Sequence, residues 1–167
     1  PGTISFAPKQ DFSTGVPGAG PFSVALSDVD KDGKVDLAVA NYLSNQASVL
    51  LNTSSGLGNI SFAARIDFPT GAGAGPYSIA VGDIDLDGKD DLVTSNANNN
   101  SVSVFRNTSS GVGNISYAAR VNFSTGTVPR SVSIADLDGD GKPDLAVTAE
   151  SPDIVSIFRN ISSAGSI

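Results

Sequence analysis

The sequence predicts an all-β fold, a β-propeller built from four-stranded antiparallel blades with three blades in its 167 residues. Three observations predict it: the sequence repeats at a period of about 50 residues, each period divides into four short strand-like runs, and no segment has helical periodicity. Units of this size are too small to fold alone and gain a core by stacking, as propeller blades do.

The repeat is read directly. Residues 52–71 (NTSSGLGNISFAARIDFPTG) and 107–126 (NTSSGVGNISYAARVNFSTG) are identical at 15 of 20 positions. A weaker copy, TISFAPKQDFSTG, occupies residues 3–15. Asp-rich stretches begin at Asp28, Asp83 and Asp136, giving periods of 55 and then 53 residues. The second period shows the four runs: 77–83 (YSIAVGD), 91–96 (DLVTSN), 101–107 (SVSVFRN) and 115–123 (ISYAARVNF). They are rich in Val, Ile, Ser, Phe and Tyr and are bounded by Gly, Asn, Asp and Pro. The whole chain is expected to be one domain, with repeats at about 21–68, 76–123 and 129–167.

The third period ends after VSIFRN (155–160) with only ISSAGSI to follow, so its fourth strand is missing. A spare strand, ISFAPKQDF (4–12), precedes the first period. Three blades fall short of the about four to eight that close a ring, and an open arc leaves apolar faces and a strand edge exposed. The expected solution is a homodimer with a six-bladed ring, in which residues 4–12 of each chain complete the third blade of the other.

Composition excludes much chemistry. The chain has no Cys, His, Trp or Met, which removes disulfides, zinc or haem held by Cys or His, and Ser-His or Cys-His catalytic pairs. Lys and Arg total 10 against 17 acids, a net charge of −7 that argues against nucleic acid as a partner. No run of about 18 apolar residues exists to span a membrane. The chain opens on Pro1 without a leader and reads as a mature or excised piece.

Nearly all the acids are Asp, and they sit in three loops: DVDKDGKVD (28–36), DIDLDGKDD (83–91) and DLDGDGKPD (136–144). The common pattern is D-x-D-x-D-G-K-x-D, which takes 12 of the 17 acids. Alternate residues of a tightly curled loop point inward, so positions 1, 3 and 5 converge. Glycine at position 6 permits the sharp turn, and the carbonyl of position 7 can join the carboxylates. Oxygen ligands in this number suit Ca²⁺ better than Mg²⁺. The loop begins like an EF-hand loop but carries Val39, Thr94 and Val147 at position 12, and its last acid is at position 9.

Around these loops the segments PFSVALSDVDKDGKVDLAVAN, PYSIAVGDIDLDGKDDLVTSN and PRSVSIADLDGDGKPDLAVTA resemble FG-GAP/VCBS repeats, the calcium-binding blades of integrin α-like propellers. The resemblance implies three Ca²⁺ per chain. Its ligands would be Asp28, Asp30, Asp32, the Lys34 carbonyl and Asp36 in the first loop. The second would use Asp83, Asp85, Asp87, Lys89 and Asp91, and the third Asp136, Asp138, Asp140, Lys142 and Asp144. Three such ions would bring the net charge from −7 to −1. Sites of this kind fall in the range of about 10⁻⁴ to 10⁻³ M found for extracellular calcium modules, so a secreted or cell-surface location follows.

The loops at the opposite end of the blades vary most: 41–46, 96–100 and 150–153 between second and third strands, and 13–21, 69–76 and 124–129 between blades. Phe22, Tyr77 and Arg130 share one repeat position beside them. In integrin-like propellers ligands bind on this face, so the resemblance makes Tyr42, Asn45, Tyr77, Asn98, Arg130, Glu150 and Asp153 candidates for ligand binding. A protein or glycan ligand is expected, with lectin-like binding included, and no enzyme activity. The alternatives are a purely structural repeat of a large surface protein, or an accessory domain of a polysaccharide-active enzyme. Seven N-x-[ST] sequons, at Asn52, Asn59, Asn99, Asn107, Asn114, Asn122 and Asn160, could carry glycans in a secreted protein, but the repeat position of most of them is explained by turn formation.

Overall fold

The computed structural model describes residues 2–167, and among them are eleven strands and no helix. The first sheet has the order β1 (Pro21–Ser27), β2 (Asp36–Asn41), β3 (Gln46–Leu50), β4 (Ile66–Pro69). The second repeats it with β5 (Pro76–Gly82), β6 (Asp91–Asn96), β7 (Ser101–Phe105) and β8 (Val121–Ser124). The third has β9 (Thr127–Ala135), β10 (Asp144–Ser151) and β11 (Ile154–Phe158), and its fourth place is empty. All pairs are antiparallel.

The register repeats with the sequence. Leu37 faces Leu50, Leu92 faces Phe105, and Leu145 faces Phe158. Each acidic loop is closed at its base by one pair: Ser27–Asp36, Gly82–Asp91 and Ala135–Asp144. The sheets lie face to face, and the two apolar cores lie between them. The first joins Ala38, Ala40, Ala47 and Val49 to Ile79, Leu92 and Phe105; the second joins Val93, Val102 and Val104 to Val132, Leu145 and Val147. A sheet covered on both faces should read as an unbroken run of buried residues, and every residue of β6 is buried. The three sheets form an open row that does not close on itself.

One detail differs from the sequence expectation. The fourth strand of the second period, expected over 115–123, is a strand only from Val121 to Ser124, with an isolated bridge from Tyr117 to Asn107. Val104 pairs with Val121, so three residues on one side oppose four on the other, a β-bulge. The first sheet has the same bulge between Val49–Ile66 and Asn52–Phe62. Residues 4–12, expected to complete the third blade of a second copy, form no strand within this chain. They are exposed throughout, with Phe12 set edge-on against Phe62 at 5.0 Å between ring centres.

Candidate metal centre and binding face

Each acidic loop is held by hydrogen bonds that its own carboxylates accept. Position 1 accepts from the N–H groups of positions 5 and 6 in the first two loops: Asp28 from Asp32 and Gly33, Asp83 from Asp87 and Gly88. In the third loop Asp136 accepts from Gly139 and Gly141. Position 5 accepts from the N–H of position 7, at 2.8–2.9 Å in all three. The turn residue Gly33 has φ +87°, the left-handed region where a side chain would be strained.

Position 9 ties loop to sheet. The Asp91 carboxylate accepts from the Ile84 N–H at 3.0 Å and from the Asn107 N–H, just beyond β7, at 2.7 Å. Asp36 does the same with Val29 and Asn52, and Asp144 with Leu137 and Asn160. Sequence reasoning gave this residue a ligand role and missed the second. It also missed the partner: Asn52, Asn107 and Asn160 each accept from the N–H two residues on. Their side-chain amides donate to carbonyls of the adjoining loops, Asn107 to Val29 and Asp90, Asn160 to Ile84 and Pro143. The recurrence of this Asn at the end of each third strand was the available signal; sequence reasoning assigned it to turn formation and did not see the reach to the acidic loops.

The loops bring carboxylate oxygens within 4.8 Å of one another in three sets: Asp28, Asp30 and Asp32; Asp83, Asp85 and Asp91; Asp136, Asp138 and Asp144. Positions 1 and 3 converge every time, joined by position 5 in the first loop and position 9 in the other two. Asp36, Asp87 and Asp140 stand outside these sets. The second set is the most enclosed. Asp85 and Asp91 are both buried, and Asp85 Oδ2 is shut off from solvent without a hydrogen-bond partner. Burial pushes the Asp91 carboxyl up to about 7, against the two N–H groups that favour its charged form. Burial also raises Asp36 and Asp85. Asp144 goes the other way, held down by the N–H groups of Asn160 and Leu137.

A buried carboxylate oxygen without a donor is costly unless a cation meets it. The donor set is all hard oxygen, which fits a hard divalent ion. In the third loop a cation of the chain itself stands at the acids: Arg159 Nε donates to Asp138 Oδ2 at 2.8 Å.

At the other end of the sheets the structure gathers five of the seven ligand candidates into one row. Tyr42 and Tyr77 lie 6.2 Å apart with Phe22 about equally close to both, at 5.0 and 4.9 Å. Arg130 sits 4.5 Å over the Tyr77 ring and bonds Glu150 at 2.8 Å, and the Tyr42 hydroxyl donates to Asn98 Oδ1 at 3.0 Å. Phe22, half exposed, joins the row. Among the described residues no hydrogen bond joins Asn45 or Asp153 to the side chains of the row: both occupy a left-handed turn position, with φ 56° and 60°, and Asn45 Oδ1 is taken up by the N–H of Gly75, which lies against Tyr42 and Asn98.

Short antiparallel sheets stacked face to face, each with an acidic loop between its first two strands, define a β-propeller-like repeat module. A family model described as FG-GAP-like repeat matches residues 28–94 and 85–147, and one described as FG-GAP repeat matches residues 128–167. These spans cover most of the chain, and it belongs to the FG-GAP repeat family. Comparison with curated proteins gives no match.

Proposed function

We propose that the chain is a calcium-stabilised extracellular binding module, an arc of a β-propeller whose acidic loops hold the ions and whose opposite face binds a protein or glycan. The observation that carries the calcium reading is the second loop. There Asp85 Oδ2, buried and unpartnered, adjoins Asp83 and the buried Asp91. The residues that would hold the ions are the three converging sets, with Asp36, Asp87, Asp140 and the carbonyls of Lys34, Lys89 and Lys142 completing them.

The ion supplies charge neutralisation and nothing catalytic. Carboxylates about 4 Å apart repel by about 1 kcal/mol per pair even at the dielectric of water, and position 9 passes any loosening of the loop to the strands that it ties together. Single-loop sites of this type bind at about 10⁻⁴ to 10⁻³ M, a concentration met outside cells, which supports the extracellular location.

The binding face is the row Phe22, Tyr42, Tyr77 and Arg130 with Asn98 and Glu150. Rigid rings beside amide and charged groups suit a ligand with both apolar faces and hydroxyl or amide edges. Calorimetric calcium titration tests the first half of the proposal. The unaltered chain should bind ions in the millimolar range or tighter, and Asp83→Asn with Asp85→Asn should lose one of them; no heat of binding at 10 mM calcium would overturn it. A glycan array and a protein-binding screen, each run with Tyr77→Ala as control, test the second half. Loss of the same hits in the variant supports the face, and hits that survive it refute the face.

A further inference from the structure

The row of sheets has two unpartnered ends, and the repeat shows that each is the complement of the other. At one end is β1. Ile79 and Val81 of β5, and Val132 and Ile134 of β9, pack against the preceding sheet, with Ile79 and Val132 only 5% exposed. Their equivalents one period earlier are Val24 and Leu26, which have no preceding sheet and are 59% and 64% exposed. At the other end is β11. Val155 and Ile157, exposed there, are the equivalents of Ala47 and Val49 and of Val102 and Val104, all buried against the following sheet.

The edge matches as well. In the first two sheets Ser48 and Ser103 face Asp67 and Asn122 and donate to them at 2.6 and 2.7 Å. In the third sheet Ser156 holds that position and the edge beyond it is bare. Residues 6–13 carry the fourth-strand sequence, with Asp11 at the place of Asp67 and Phe12 at the place of Phe68. Next to β11, between the second and third sheets, lies a cavity of about 530 Å³ lined by Ile84, Leu145, Phe158 and Ile167. Ile167 stands where Ile115 stands one sheet earlier; the place filled there by Tyr117 is open, and Phe6 is its equivalent.

From these we infer that residues 6–13 of a second copy add to β11 as the missing fourth strand, and that two copies exchange strands reciprocally into a closed ring of six blades. The register puts Asp11 of the second copy opposite Ser156, Phe12 of the second copy opposite Val155, and Phe6 of the second copy in the cavity. The addition also seats β1 of the second copy, with Val24 and Leu26, on Val155 and Ile157. Polar latches follow the same rule. Asn45 Oδ1 accepts the Gly75 N–H and Asn100 Oδ1 the Val128 N–H, so Asp153 is placed for the N–H of Gly20 of the second copy. This explains why Asp153 lies outside the aromatic row.

The interface is head-to-tail, a geometry that makes rings when the rotation closes and filaments when it does not. Light scattering on the 167-residue chain in millimolar calcium should give twice the 16.8 kDa chain mass. A mass of one chain, or a ladder of larger species, overturns the inference. The chain has no cysteine, so a designed pair reads the register without background. Asp11→Cys with Ser156→Cys should oxidise to a covalent dimer on denaturing gels, while either change alone stays single-chain. A bridge that forms within one chain, or none at all in a dimer, refutes this register. Deleting residues 1–13, of which 2–13 form no strand here, should return the protein to a monomer that a peptide of residues 2–13 binds one-to-one; a deletion variant that remains dimeric contradicts the strand exchange.

Discussion

Asp91 sits at the meeting point of loop, sheet and candidate ion, and its two roles pull in opposite directions. Its carboxylate is needed by the Ile84 and Asn107 N–H groups, yet burial raises its pKa from 3.8 to about 7. In metal-free protein the unfolded state therefore releases this proton near pH 4 while the folded state retains it until about pH 7. Stability should fall as pH rises through that window and level off above it, as read by urea midpoints, and Asp91→Asn should flatten the slope. The lowered pKa of Asp144 gives the opposite trend in a separate window, stability lost on acidifying below pH 4. Asn107 offers a cleaner test. Asn107→Ala removes the acceptor of the Ser109 N–H and the donor to two carbonyls in a fully buried place. Each orphaned group costs about 1–3 kcal/mol. Asn59→Ala, at an exposed sequon, should stay within about 0.5 kcal/mol of the parent. The convergence of positions 1 and 3 was legible in the sequence because their spacing is local; position 5 joins them as expected only in the first loop, and position 9 takes its place in the other two. The Asn pins were not legible, because their partner carbonyls lie in the acidic loops, for Asn107 and Asn160 partly in the neighbouring repeat at Val29 and Ile84.

At the scale of the element, strand alternation and turn residues located first, second and third strands to within two residues. Strand four was overextended, since ISYAARVNF reads as continuous β and nothing in it announces the bulge that lets the Ala118 N–H reach the Arg106 carbonyl. The segment 4–12 has the same composition as a fourth strand, but pairing needs a third strand beside it, and the one with a free edge, β11, lies in the last sheet of the row. Sheet β5–β8 is the one covered on both faces, so its core positions carry the most packing. Leu92, fully buried on β6, should cost about 2–5 kcal/mol on replacement by Ala. The same change at Leu86, half exposed in the second acidic loop, should cost under about 1 kcal/mol. Denaturant unfolding of the two variants compares them directly.

At the scale of the whole molecule, the charge of −7 is concentrated in three loops at one end of the sheets. Among the described residues no salt bridge reaches the second loop's buried pair, Asp85 and Asp91, whereas the third loop has Arg159. The cooperative unit is the stack of sheets, because both cores lie between sheets and position 9 anchors each loop to two strands. Filling a site at 100-fold excess over its Kd stabilises the folded state by about 2.7 kcal/mol, and sites that bind only the folded chain add. The most direct measurement is the melting temperature at pH 7.5 in 10 mM calcium against the same protein in chelator. A rise of many degrees with calcium, abolished stepwise as Asp28, Asp83 and Asp136 are changed to Asn, is the predicted result. A melting temperature that is the same in calcium and in chelator would contradict the account.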